Sequence, residues 1–124
     1  MRKIYLLLLS LILLPYMAVA QNNTGVFNVT GGTSGIDYSY TNGVLTVNSG
    51  ANITISMASG ATAPTSDRIV VNGNAEITLN GVNITGAAYD SIHGTEAQSA
   101  IDVSENATLV LNLSGSSQNV LTGG

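Results

Sequence analysis

The 124-residue chain carries three Lys or Arg against seven Asp or Glu, a formal net charge of −4, and has no cysteine. A phosphate backbone or an anionic bilayer needs several cationic side chains, so the charge argues against nucleic acid and membrane surfaces as partners. The absence of cysteine excludes disulfide, thiolate and zinc-thiolate chemistry.

The N-terminus reads as a secretory signal. Met1-Arg2-Lys3 is a basic start, Ile4 to Leu14 an apolar run, Pro15 a breaker, and Ala18-Val19-Ala20 a small-x-small cleavage pattern before Gln21. A spanning helix needs ~20 apolar residues, so the run is too short for a membrane anchor. Residues 1–20 are therefore expected to be a signal peptide and residues 21–124 an exported chain, extracellular, on the cell surface or in the periplasm. No transmembrane segment is expected in that mature chain, whose only basic residue is Arg68.

The mature part is rich in Ile, Val and Leu set among Asn, Gly, Thr and Ser, with few helix formers. β-branched residues and turn formers in this mixture predict an all-β chain of short strands. Residues 21–43 come first. Val26 to Val29 and Ile36 to Tyr40 read as strands, and Asn42-Gly43 as a turn. This segment is expected to cap the first sheet edge.

From residue 44 the pattern repeats. Leu45-x-Val47 is followed by Ile53-x-Ile55, Ile69-x-Val71 by Ile77-x-Leu79, and Ile101-x-Val103 by Leu109-x-Leu111. An alanine stands two residues before each second pair (Ala51, Ala75, Ala107), and Asn48, Asn72 or Ser104 follows each first pair. Such spacing, kept three times, is an internal-repeat signal. The repeats start near 45, 69 and 101. The longer second period is explained by an insertion in the polar stretch Gly86 to Ser99.

Each strand alternates apolar and polar residues, so one face is buried, and a single unit cannot bury that face alone. Stacked units can, with equivalent strands side by side in parallel. The expected fold is a parallel β-helix, a solenoid of about three to four rungs; an antiparallel sandwich is the alternative. Ile is expected to stack on Ile, Ala on Ala, and Asn48, Asn72 and Ser104 along one corner. Thr46, Val70 and Asp102 should share one outward face, and Thr54, Thr78 and Val110 another. Val82 to Ile84 and Val120-Leu121 read as a third strand per unit, with Met57 the only counterpart in the first. Ile101 to Gly124 makes one whole unit without a polar cap. A C-terminal truncation is expected, with further rungs continuing at that edge; the alternative is that something else covers it.

Candidate chemistry is sparse. His93 lies in "YDSIHGTEAQ" with Asp90, Ser91 and Glu96 nearby, but a Ser-His-Asp triad is a matter of geometry across the fold, and no G-x-S-x-G elbow is present. Polysaccharide hydrolysis needs two carboxylates ~5–10 Å apart, and a lyase needs a basic group that Arg68, in a different turn from the acids, does not supply. No catalytic residue is assigned. Asp90, Glu96, Asp102 and Glu105 form a candidate calcium set, because calcium takes six to eight oxygens; a solvated acidic face is the alternative. For sugar, the candidate residues are Tyr89, Asp90 and His93, with Tyr89 the ring expected to be exposed. Tyr38 and Tyr40 share one strand face and read equally well as core. Rows of Asn and Thr on a flat face offer a second, aromatic-free way to hold polysaccharide.

The segments "AEITLNGVNITG" and "AIDVSENATLVLNLSGSSQNVLTGG" add a resemblance. Their strand pair Ile77 to Ile84, then Ala100 to Val103, then Leu111 to Gly123, resemble bacterial secreted carbohydrate-binding proteins of the single-stranded, right-handed parallel β-helix (pectate-lyase-like) type. The likeness runs from Val44 to Gly124 and is more specific for fold than for ligand. It implies a right-handed helix, an extracellular location and polysaccharide binding, and is compatible with calcium. The expected function is non-catalytic binding of polysaccharide or a cell-surface glycan. The alternatives are a structural or adhesin solenoid, and a fragment of a polysaccharide lyase or hydrolase.

Overall fold

The computed structural model describes residues 24–115 and 117–124; the signal sequence expected over residues 1–20 lies outside them. The described chain is all-β, with ten strands and no helix. They are β1 (Phe27–Thr30), β2 (Tyr38–Thr41), β3 (Val44–Asn48), β4 (Asn52–Met57), β5 (Arg68–Asn72), β6 (Ala75–Asn80), β7 (Asn83–Thr85), β8 (Ile101–Val103), β9 (Leu109–Leu113) and β10 (Val120–Thr122). Three sheets result. Sheet I runs β1-β4-β6-β9, sheet II runs β2-β3-β5-β8, and sheet III pairs β7 with β10.

Within each sheet the strands of successive repeats lie parallel. β3, β5 and β8 stack so that Leu45 faces Ile69 and Ile69 faces Ile101; Val47, Val71 and Val103 do the same. β4 pairs with β6 and β6 with β9, and β7 pairs with β10. "IVVNGNAEITL" is thus not a hairpin, since β5 and β6 belong to different sheets. Asn72-Gly73-Asn74 turns the chain from one sheet to the next. Gly73 has φ +121°, and a Cβ there would lie 2.6 Å from that of Ser49 in the turn of the first repeat. Stacked corners therefore approach too closely for any other residue.

The first two strands run the other way. β1 is antiparallel to β4, and β2 is antiparallel to β3. The β2–β3 link is a two-residue turn at Asn42-Gly43, with φ +50° and +77°, the left-handed pair that suits a hairpin. Ile36, expected in the second strand, lies outside it in the turn that Asp37 closes by accepting the Thr33 amide at 2.6 Å.

The core follows the alternation. Phe27, Tyr38, Leu45, Val47, Ile53, Ile55, Ile69, Val71, Ile77, Leu79, Val82 and Ile84 are at most 2 % exposed and belong to one cluster. Each such aliphatic side chain contributes about 1.5–3 kcal/mol by leaving water. Tyr38 is core. Tyr40 packs against it from the edge, with its hydroxyl donating to Asp67 at 2.6 Å.

Two expectations need correction. In the third repeat the equal spacing is misleading. β6 meets β9 with Ala75 opposite Leu109 and Ile77 opposite Leu111, two residues off the sequence alignment. Ala107 does not stack on Ala75. It closes a turn by donating its amide to the Ser104 carbonyl at 3.0 Å, with Asn106 at φ +64°. The slip is even, so inward residues stay inward; a slip of one would have turned every side chain over. Consequently Thr54 and Thr78 align with Asn112, and Val110 aligns with Glu76. The second correction concerns the first repeat. Met57 ends β4 opposite Phe27, whereas Thr65 occupies the third-side position, bridging to Ile84 in parallel.

Candidate functional site

Outward residues of sheet I are almost all amides and hydroxyls, because each strand alternates and the inward half is apolar. The register aligns them into rows across the strands. Thr30, Thr54, Thr78 and Asn112 form one row; Asn28, Ser56 and Asn80 form a second. Neighbouring members stand one strand apart, about 4.8 Å. Asn52 and Glu76 begin a third row that Val110 completes. Asn112 donates its amide to Glu76 Oε1 at 2.8 Å, so the last strand is tied to the middle one across the face.

The slipped register brings Thr108 beside Asn74 at the edge of this face. At the turns joining β3 to β4, β5 to β6 and β8 to β9, a shallow open depression of about 520 Å³ is lined by Gly50, Ala51, Asn52, Asn74, Ala75, Glu76, Thr108 and Val110. The Asn74 side-chain oxygen accepts the Thr108 amide at 2.9 Å, and the Asn74 carbonyl accepts the Gly50 amide at 2.7 Å. One asparagine thus joins all three corners. Ala51 and Ala75, both nearly buried, form the floor of the depression, and the half-exposed Val110 lies beside amide, carboxylate and hydroxyl groups. Such a surface suits a sugar, whose rings have apolar faces and hydroxyl rims.

The loop between β7 and β8 is a separate place. Asp90 and Thr95 exchange backbone hydrogen bonds at 2.9 and 3.0 Å. Asp90 Oδ1 accepts the amides of Ile92 and His93, at 2.9 and 3.3 Å, and Asp90 Oδ2 lies 2.6 Å from His93 Nδ1. The contact with the His93 ring, aided by the Ile92 amide, holds the Asp90 carboxyl below its ordinary range. At the loop base Gln98 donates to Ala87, and Gly124 donates to Gln98. Tyr89 is exposed, and Ile92 beside it is 86 % exposed. The three residues expected to bind sugar are therefore brought together in one ordered loop, apart from the depression in sheet I.

The expected calcium set does not assemble. Asp90 spends its oxygens on Ile92 and His93, while Asp102 faces Arg68 at 3.6 Å on sheet II. Glu96 stays in the loop and Glu105 in the corner after β8. Among the described residues, no group of three His, Asp or Glu side chains is placed to hold a metal ion. The reason is topological: the four acids are divided between the β7–β8 loop, strand β8 and the corner that follows it.

The corner ladder is present in altered form. Asn48 aligns with Asn72, while the Ser104 hydroxyl donates to the Val71 carbonyl at 2.7 Å and reaches Asn72 Oδ1 at 3.4 Å. Thr46, Val70 and Asp102 share the outward face of sheet II as expected.

Sequence reasoning reached the Thr54 and Thr78 row but missed Asn74, Glu76 and Thr108. Their alternation was visible. Their convergence depended on the register of β9, which the repeat spacing misreported. Among the described residues no helix is long and apolar enough to cross a membrane. Comparison of the chain with protein-family models, curated proteins and solved structures gave no match.

Proposed function

We propose that the chain is a secreted or cell-surface module that binds polysaccharide without cleaving it, built as a right-handed parallel β-helix with β1 and β2 as its N-terminal cap. The parallel ladders of the repeats support the helix. The observation that carries the binding is the outward face of sheet I, where aligned Thr, Asn and Ser rows border the depression at Asn52, Asn74 and Glu76. A glycan chain laid on this face exchanges its hydroxyl–water hydrogen bonds for bonds to amides and hydroxyls already fixed by the strands. Preorganisation lowers the ordering cost of such binding.

The test is retention of the secreted protein on insoluble glycans, with released oligosaccharide measured alongside. Retention without release is expected. The Thr54→Ala/Thr78→Ala double variant should lose about tenfold in affinity, since each hydrogen bond contributes about 0.5–1.5 kcal/mol. A loss caused instead by Tyr89→Ala would move the site to the β7–β8 loop. Released product would point to a lyase or hydrolase.

A structural or adhesin solenoid is the second reading, favoured by one observation. Val103, Leu111, Leu113 and Leu121 are 38–64 % exposed, although Val71, Ile77, Leu79 and Ile84, one strand inward, are fully buried. This open edge has the pattern to receive another rung.

A further inference from the structure

We propose that the sheet I face selects glycans by charge, favouring amino-sugar polymers over their N-acetylated counterparts and rejecting polyuronates. This rests on the polysaccharide-binding reading above and names the class of glycan.

The argument begins with what the face lacks. Arg68 is the only Arg and there is no Lys among the described residues. Arg68 stands on sheet II, opposite Val44, with its guanidinium 3.6 Å from Asp102. His93, the only other side chain among the described residues able to carry positive charge, sits in the β7–β8 loop against Asp90. Sheet I therefore offers a sugar carboxylate no cation. It would lose its hydration to uncharged amides and hydroxyls, and would approach a protein of net negative charge.

The face does carry an anion where a ligand would sit. Glu76 lines the depression, half-buried, on the middle strand of the three parallel ones. Asn112 donates to Oε1 at 2.8 Å and fixes the carboxylate in place. Among the described residues no side chain bonds to Oε2. Around it Asn52, Asn74 and Thr108 supply neutral donors and acceptors. A protonated amine on a sugar ring reaches a fixed carboxylate here, and the adjoining ring hydroxyls meet amides. An acetyl group removes the charge and with it this contact. The ion pair would be open to solvent, so the preference is modest, about two- to fivefold, and is weakened by salt.

The experiment compares three soluble oligomers of equal length: β-linked glucosamine, its N-acetylated form, and galacturonate. Binding to the full secreted protein is measured by calorimetry at mildly acidic pH, at low and at physiological salt. The expected order is amine, then acetyl, then uronate. In Glu76→Gln the amine-to-acetyl preference should fall by about two- to fivefold. Added salt should narrow the preference in the wild type and leave little to narrow in the variant. Circular dichroism and the melting temperature of Glu76→Gln establish that the variant is folded; Glu76→Asp, which keeps the charge, should retain part of the preference. Galacturonate bound as tightly as the amine, or a preference unmoved in Glu76→Gln, overturns the selection while leaving polysaccharide binding intact. Binding of none of the three, or of any insoluble glycan, overturns both.

Discussion

At the scale of single residues, the contact with most to say about stability is Tyr40 with Asp67. The Tyr40 hydroxyl donates to the Asp67 carboxylate at 2.6 Å, which joins β2 to the segment preceding β5. That hydrogen bond, with burial and the nearby negative charge, raises the Tyr40 phenol above its ordinary value, against a smaller opposing effect from the Gly43 backbone. A phenol that ionises less readily when folded contributes stability that is complete below its unfolded pKa, about 10, and is lost as pH rises through the folded value. Tyr40→Phe should therefore cost about 1 kcal/mol at neutral pH. Denaturant midpoints measured from pH 7 upward should show the gap closing above about pH 10. A gap constant across that window would show that the hydroxyl is not the cause. Tyr40 was legible in the sequence as either core or binding ring; its packing against the core and its single carboxylate partner decide for the former.

At the scale of elements, the third corner matters most. The sequence places Ile101 and Leu109 eight residues apart, as it does Ile69 and Ile77, and so suggests that Leu109 faces Ile77. Leu111 faces it instead. A period-two pattern is blind to a shift of two, because the same side chains still point inward. The turn at Ser104 to Ala107 closes as the first corner does, Ala51 to Asn48, and the chain then runs two residues further before joining β6. Cysteine pairs distinguish the two registers. Thr78→Cys with Asn112→Cys, directly opposite on adjacent strands, should form a disulfide under mild oxidation, monitored by gel shift and peptide mapping. Thr78→Cys with Val110→Cys should not, because a diagonal pair exceeds the ~7 Å limit for Cα atoms. The reverse outcome would restore the register suggested by spacing.

At the scale of the whole molecule, the strands fall into three parallel stacks around one core, with an antiparallel strand closing one edge of sheets I and II. The opposite edge, β8, β9 and β10, pairs with no further strand among the described residues and shows Leu111 and Leu113 at 40 % and 64 % exposure. Exposed strand edges with apolar side chains add further strands readily. Residues 21–124 expressed alone should therefore bind an apolar dye and associate reversibly as concentration rises, as followed by sedimentation velocity. Leu113→Lys should suppress the association while lowering stability by less than about 1 kcal/mol, since the site is already largely wet. Association unchanged in that variant would place the contact elsewhere.

The sequence by itself determined the all-β class, the strand positions within a residue or two, and the alignment of sheet II. These rest on alternation and β-branched composition, which are local properties. It also pointed to Tyr89, Asp90 and His93 as one cluster, since a short loop keeps neighbours together. Only the tertiary structure decided what comes together from afar: that Thr30 joins the Thr54 and Thr78 row and Asn28 the Ser56 and Asn80 row by antiparallel pairing, that Asn74, Glu76 and Thr108 meet at one corner, and that the four acids do not. The physical reason is that a repeating pattern fixes which way a side chain points, while backbone hydrogen bonding and the length of each corner fix what it stands beside.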